Sequence, residues 1–169
     1  GSPVLLCAAP GTTGGVAASG SWSRSDVIVF GHSQGGNLHQ VNAKVGGTPT
    51  PVTTPPATGA HRWPSFLPDG QHFLLVALVG EATELRVGSL TAPDTSVIGT
   101  VGSPPTYAQG HLLFIRNGSL MAQPFDEATR TVAGEPARLG LGLQVNVGLA
   151  RRRTFSVSAT GRCRASRCS

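Results

Sequence analysis

The sequence predicts an all-β protein, and three observations support that prediction. First, 23 of the 169 residues are Gly and 13 are Pro, and both residue types interrupt long helices. Second, apolar residues come in runs of four or five that end at turn residues, which is typical of strands rather than buried helices. Third, Asn117-Gly118 separates two such runs, and Asn-Gly best tolerates the positive φ angles of a type I′ hairpin turn.

The composition predicts a folded chain. Hydrophobic residues make up 39% and charged residues 12%, with a mean hydropathy of +0.04, which is too apolar for a disordered tail. No apolar run approaches the roughly 20 residues that cross a bilayer, so no transmembrane segment is expected. The stretch Gly1–Pro10 lacks the basic residues of a secretory signal. The location of the protein is therefore not predicted from a signal peptide.

A strand-rich unit recurs along the chain. Its four copies open on Trp22, Trp63, Tyr107 and Phe155, which are 41, 44 and 48 residues apart. Units of roughly 40 to 50 residues built from several strands have the spacing of β-propeller blades. The four aromatic side chains could line a ligand surface, but at these equivalent positions we expect them to pack between blades. The blade-like units are predicted over residues 17–54, 61–100, 104–140 and 150–161.

The predicted strands of the first two units follow one pattern. In the first unit, Val27–Phe30 forms a strand that a turn separates from residues 37–45. In the second, the turn Pro68-Asp69-Gly70 precedes the apolar strand Phe73–Val76, and a further strand covers Glu84–Leu90.

The third and fourth units continue the pattern. His111–Ile115 and Ser119–Phe125 flank the Asn117-Gly118 turn, which predicts a two-residue hairpin. Phe155–Ser158 begins a fourth unit that is not completed by an apolar strand. The prediction is a partial β-propeller of about three to four antiparallel blades.

Several of these motifs resemble known propellers. The stretch His61–Phe73, with Pro-Asp-Gly at its centre, resembles the blade motif of TolB-type, WD40-like propellers. Other segments resemble, in order, the propeller C-terminal to bacterial serine/threonine protein kinase domains: Gly46–Thr53, Gly118–Asp126, Gly134–Pro136 and Phe155–Ser158. This resemblance runs from about Cys7 to Gly161. It implies a six-bladed ring on the extracytoplasmic side of a bacterial membrane that serves as a ligand- or protein-binding sensor. No kinase motif is present, so phosphotransfer is not implied.

The sequence departs from that family pattern in two respects. About three and a half units are present, whereas the family ring contains six. An isolated chain would therefore leave sheet edges and apolar faces uncovered. We expect either a fragment of a longer protein or self-association. Residues 1–161 are predicted to form a single propeller-like domain, and residues 162–169 form an atypical tail rich in Arg and Cys.

The positive charge belongs to the end of the chain. The net charge is +5, yet residues 1–150 hold seven basic and eight acidic side chains, while residues 151–169 hold six arginines and no acid. Such a tail attracts anionic surfaces but has no aromatic platforms for bases, so specific nucleic-acid binding is not predicted. The three cysteines and five histidines lack the spacing of a metal site. No metal or cofactor is predicted.

One motif suggests catalysis. Residues 31–36, Gly-His-Ser-Gln-Gly-Gly, fit the Gly-x-Ser-x-Gly nucleophile elbow of α/β-hydrolases. Val27–Phe30 would be the preceding strand, and residues 37–45 could form the short helix that follows. Ser33 would be the nucleophile, and the backbone N–H of Gln34 would belong to the oxyanion hole. In the hydrolase chain order, Asp94 or Asp69 would be the acid and His111 the base.

A hairpin turn explains the same residues. Gln34-Gly35-Gly36-Asn37 has ordinary turn composition, and the rest of the chain lacks the helices that cover a hydrolase sheet. The sequence therefore favours a noncatalytic binding or sensor module, with a protein or small-molecule ligand on a loop face or in the channel. A serine esterase or lipase that uses Ser33 is the alternative.

Overall fold

A computed structural model describes residues 5–7, 17–32, 36–55, 59–140, 155–157 and 163–165. These residues form fifteen β-strands arranged in antiparallel sheets. No helix occurs among them, so none of the described residues lies in a helix that could span a membrane. The all-β prediction is confirmed.

The first sheet contains four strands in chain order. They are β1 (Ala17–Trp22), β2 (Val27–His32), β3 (Leu38–Asn42) and β4 (Gly46–Pro51). The short helix considered over residues 37–45 is wrong, because β3 occupies that stretch. β3 pairs with β2 on one side and β4 on the other, which satisfies backbone groups that an isolated helix of this length would leave open.

The second sheet repeats this order. Its strands are β5 (Gly59–Phe66), β6 (His72–Val79), β7 (Ala82–Ser89) and β8 (Ser96–Thr100). The Pro-Asp-Gly motif forms the β5–β6 turn: Gly70 has a φ of +73°, and its N–H donates to the Leu67 carbonyl at 3.1 Å. The Asp69 carboxylate accepts from the N–H groups of Gln71 and His72, both at 2.9 Å. The motif is therefore explained by turn geometry.

The third sheet contains five strands centred on β11. They are β9 (Thr106–Ala108), β10 (His111–Arg116), β11 (Ser119–Asp126), β12 (Thr131–Val132) and β13 (Ala137–Gly140). Arg116 pairs with Ser119, and the intervening Asn117 and Gly118 have φ angles of +50° and +70°. The predicted two-residue hairpin is confirmed.

Two short strands follow. β14 (Phe155–Val157) pairs antiparallel with β15 (Cys163–Ala165). Part of the segment predicted as an atypical tail is thus in a strand.

The chain divides into two compact units, Gly1–Val97 and Ile98–Ser169, with the division inside β8. In the first unit, a buried cluster joins the first and second sheets: Val29, Leu38, Val52, Phe73 and Leu75. In the second unit, β10 and β11 supply a core of Leu113, Ile115, Leu120 and Ala122. Alternating buried positions on paired strands produce both cores.

The four aromatic residues that open the predicted units all lie on the first strand of a sheet: Trp22, Trp63, Tyr107 and Phe155. Their repeat positions are therefore equivalent. Their packing is not, because Tyr107 meets the Phe125 ring edge-on at 6.1 Å, whereas Trp22 is 61% exposed. For Trp22, packing between blades stays a prediction that requires a further blade on this exposed face.

Candidate functional site

The candidate site lies at the start of β5, where the second sheet meets the first. β5 contacts β1, β2 and β3, and the His61 N–H donates to the Gly36 carbonyl at 3.0 Å. We call Thr53, His61, Arg62 and Trp63 the β5 cluster.

The cluster begins with a buried hydroxyl–imidazole pair. Thr53 Oγ1 accepts from the Leu38 N–H at 3.1 Å and lies 2.8 Å from His61 Nδ1. Both side chains are buried, with 1% and 0% of their surface exposed. The hydroxyl oxygen accepts from Leu38, and we assign the hydroxyl hydrogen of Thr53 to the bond with His61 Nδ1, so that it has an acceptor. His61 then carries its own proton on Nε2.

The Nε2 atom has no hydrogen-bond partner among the described residues, although it is buried. Burial lowers the pKa of His61 to about 4, and the positive charge of Arg86 contributes in the same direction. Arg86 is itself held by Glu84, with Nη2 at 2.7 Å and Nε at 2.9 Å from Oε2. The imidazole is therefore a neutral hydrogen-bond donor at neutral pH.

Arg62 presents a second buried nitrogen without an acceptor. Its Nε has no partner in the described part of the chain, and the half-buried side chain forms no ion pair there. The guanidinium carbon lies 5.9 Å from the centre of the Trp63 ring, a cation–π distance. An aromatic face stabilises the charge but accepts no strong hydrogen bond, so the Arg62 Nε–H donor is not satisfied within the described residues.

Trp63 holds an unusual backbone conformation. Its φ of +53° is a left-handed value that a bulky residue rarely adopts, and the β5–β6 register is interrupted between Arg62 and Ser65. The Trp63 N–H donates to Ser19 Oγ of β1 at 3.1 Å, which anchors the bulge to the first sheet. Bulges and strained residues concentrate where a side chain must be aimed at a ligand.

The residues of the hydrolase hypothesis are distributed over both units. Ser33 and Gln34 lie outside the described residues. Asp94 is exposed in the β7–β8 connection of the first unit, and His111 is exposed at the start of β10 in the second. His111 Nδ1 lies 2.9 Å from the Gln109 carbonyl oxygen.

The alternative acid Asp69 belongs to the β5–β6 turn, where its Oδ2 lies 2.6 Å from His72 Nδ1.

The strands on either side of the Gly-x-Ser-x-Gly motif form an antiparallel β2–β3 hairpin that pairs Gly31 with Leu38. A nucleophile elbow instead joins a strand to a helix. The catalytic roles of Ser33, Gln34, Asp94 and His111 stay predictions.

The β5 cluster was not apparent from the sequence, although Trp63 was one of the aromatic residues that could line a ligand surface. His61 was considered only as a metal ligand, and the described residues contain no group of three His, Cys, Asp or Glu side chains that could hold a metal ion. The available signal was His-Arg-Trp at the start of a strand of the repeat, a polar pair where apolar residues are usual. The pairing of Thr53 with His61 depends on contacts between sheets, which no local pattern reveals.

Several solved structures have a similar fold. TolB from Acinetobacter baumannii superposes with a TM-score of 0.56 at 16% identity, over 87% of this chain and 36% of that protein. A chain of the nidogen/laminin complex superposes with a TM-score of 0.54 at 11% identity, over 78% of this chain and 51% of that one. The chain folds as a partial TolB-like β-propeller.

Identities this low establish the fold of this propeller alone. A puromycin-hydrolyzing peptidase of Mycobacterium tuberculosis also matches, with a TM-score of 0.52 at 16% identity, over 69% of this chain and 22% of the peptidase. The propeller thus spans about half or less of the length of each of these three structures. No protein-family model and no curated protein matches it, and the resemblance to kinase-linked propellers stays a prediction.

Proposed function

We propose that this propeller is a noncatalytic module that binds a protein or small-molecule ligand through the β5 cluster. One observation carries the proposal: His61 and Arg62, adjacent on one strand, each keep a buried nitrogen that has no hydrogen-bond partner among the described residues. Native proteins pair nearly all such groups. The strained Trp63 beside them is consistent with a site organised before its ligand arrives.

The position of β5 in the sheet favours the channel or the adjoining loop face. β5 is the first strand of its sheet and, among the described strands, is hydrogen-bonded in the sheet to β6 alone. In a closed propeller the blades surround a central channel, and the first strand of each blade lies nearest to it. A sensor role and an extracytoplasmic location are part of the proposal, supported by the resemblance to kinase-linked propellers.

We also propose that a further blade covers the outer face of the first sheet. Trp22 pairs with Ile28 across β1 and β2, and Phe30 lies on the same face against the His39 ring at 6.1 Å. In a ring, a neighbouring blade packs on this apolar face. A longer parent chain or a second copy would supply it. We further propose that residues 1–161 form one propeller-like domain and that residues 162–169 form a tail after it.

Selection from a random peptide library tests the binding function. Peptides retained by the immobilised full chain should lose at least about tenfold in affinity on Arg62→Gln or Trp63→Ala, as expected for central binding residues. Arg116→Gln is the matched control, because Arg116 also lies over an aromatic ring, Phe114 at 5.3 Å, but is exposed. If both β5 variants bind like the unaltered protein, the cluster is not the site.

The serine hydrolase remains the alternative, supported by the Gly-x-Ser-x-Gly motif. Ser33 would be the nucleophile, Gln34 the oxyanion donor, and Asp94 and His111 the acid and base. Hydrolysis of a short-chain p-nitrophenyl ester by pure protein separates the two functions. Activity that disappears in Ser33→Ala would refute the noncatalytic module. No activity in the unaltered protein, or activity that Ser33→Ala leaves unchanged, would refute the elbow.

A further inference from the structure

We propose that Arg62 and Trp63 form a recognition site for a carboxylate group of the ligand. This inference rests on the proposed binding function and adds the chemistry of what is bound. It starts from the charge balance around β5.

Two acidic side chains of the first two sheets are paired with cations: Asp26 with Lys44 at 2.7 Å and Glu84 with Arg86 at 2.7 Å. Asp69 Oδ2 lies 2.6 Å from His72 Nδ1 in the β5–β6 turn. Arg62 forms no ion pair with an acidic side chain among the described residues. A half-buried cation without a counter-ion is costly, and a ligand anion would remove that cost.

The geometry of the guanidinium favours a planar, two-oxygen partner. The Nε–H and one Nη–H of an arginine form the parallel pair of donors that a carboxylate accepts. Arg62 Nε has no partner in the described stretches, and the Trp63 ring supports the guanidinium from its face at 5.9 Å. Nε is buried, so a carboxylate would reach it after a small rotation of the Arg62 side chain, a change that is common on binding. The contact would then form in a site poor in water.

The charge available suits a monoanion. His61 is neutral at neutral pH, since its pKa is lowered to about 4, and Arg86 is neutralised by Glu84. Arg62 is therefore the one uncompensated cation of the β5 cluster. A carboxylate matches that single charge, whereas a phosphate dianion would keep one charge unpaired.

The fluorescence of Trp63 tests the inference. The chain contains two tryptophans, so Trp22→Phe, at an exposed position, makes Trp63 the sole reporter in the full chain. The probes are N-acetylglutamine, with a chain-terminal carboxylate; N-acetylglutamate amide, with a side-chain carboxylate; N-acetylglutamine amide, which is neutral; and methyl phosphate.

We expect saturable fluorescence changes with one or both carboxylates at concentrations at least about tenfold lower than with the neutral amide. The carboxylate that binds more tightly identifies the source, a chain terminus or an acidic side chain. Arg62→Gln should weaken binding at least about tenfold, and Arg62→Lys, which keeps the charge but loses the fork, should fall between. Arg116→Gln should bind like the reporter protein.

Other outcomes overturn the inference. Equal response to the neutral amide, or tighter binding of methyl phosphate, refutes a carboxylate site while the binding function stands. If no probe binds but the protein still binds library peptides through Arg62, the carboxylate site is likewise refuted and the binding function stands. Failure of both the probes and the peptides refutes the proposed function as well. The comparison of probes on the reporter protein needs no Arg62 variant, so a folding defect in Arg62→Gln does not affect it.

Discussion

His61 links separate segments of the first unit through its backbone and its ring. Its N–H donates to Gly36 next to β3, and its Nδ1 meets Thr53, whose hydroxyl also accepts from Leu38. These contacts tie the first sheet to β5 near residues that we propose bind the ligand. The residue thus has a structural role that is independent of binding.

The low pKa of His61 predicts a loss of stability in acid. The pKa rises from about 4 in the folded protein to 6.5 in the unfolded chain, so the unfolded state binds more protons as the pH falls below 6.5. The free energy of unfolding should fall through that range and level off below pH 4, with a total loss of about 3 kcal/mol. Urea titrations at several pH values measure it.

The control for that titration is His61→Gln. This variant should be less stable at neutral pH but should lose less stability between about pH 7 and about pH 4.5. His39, whose pKa burial also lowers, accounts for part of the remaining dependence. His111→Gln, at an exposed position, should follow the unaltered protein. Parallel curves for His61→Gln and the unaltered protein would contradict the assignment.

Thr53 predicts a second effect at the residue scale. Thr53→Val removes the hydroxyl that serves both Leu38 and His61, so two buried groups lose their partner and stability should fall by about 1–3 kcal/mol. Thr53→Ser keeps the hydroxyl and should cost clearly less. Thermal or urea unfolding compares them. A larger loss in Thr53→Ser than in Thr53→Val would show that the methyl group, rather than the hydrogen bonds, matters.

At the scale of the element, the second sheet packs without spare room at Gly88. A Cβ at this position would lie 2.8 Å from two ring carbons of Phe73 and 3.2 Å from Leu75. Gly88→Ala should therefore destabilise the protein by about 1–3 kcal/mol through overpacking. Gly99→Ala in β8 is the control, since a Cβ there meets nothing within 4 Å. If urea unfolding gives the same midpoint for both, the close approach at Gly88 is not real.

Strands and turns were predictable because their signals are local. The Asn117-Gly118 hairpin and the Pro-Asp-Gly turn follow from backbone preferences of two or three residues. The short helix considered over residues 37–45 fails because the spacing of Leu38 and Val41 matches one helix face, whereas in β3 the two buried residues lie on opposite faces of the strand. Pairing with β2 and β4 decides the outcome, and pairing is not a local property.

The candidate site was less predictable for the same reason. His61, Arg62 and Trp63 were visible as a motif of the repeat, yet their importance depends on missing partners and on the conformation of one residue. Thr53 joins the site across the interface between sheets. A spacing of 41 to 48 residues predicts that sheets repeat, but not which polar side chains meet between them.

At the scale of the whole molecule, the exposed Trp22 on the outer face of the first sheet predicts association of the isolated chain. Light scattering should give a mass above that of one chain of 17.3 kDa, increasing with protein concentration. Trp22→Ser should shift the distribution toward the monomer, because Trp22 is the exposed aromatic of that face. A monomer that unfolds cooperatively at all concentrations would contradict completion by pairing.

The most direct test of the account is where a selected ligand binds. Amide-resolved NMR of the full chain, titrated with a peptide from the library, should shift the signals of His61, Arg62 and the Trp63 backbone and indole before those of the control Arg116. Arg62→Gln should abolish these shifts at the same peptide concentration. Shifts confined to other residues, with the β5 cluster unchanged, would contradict the proposal that this propeller binds its ligand there.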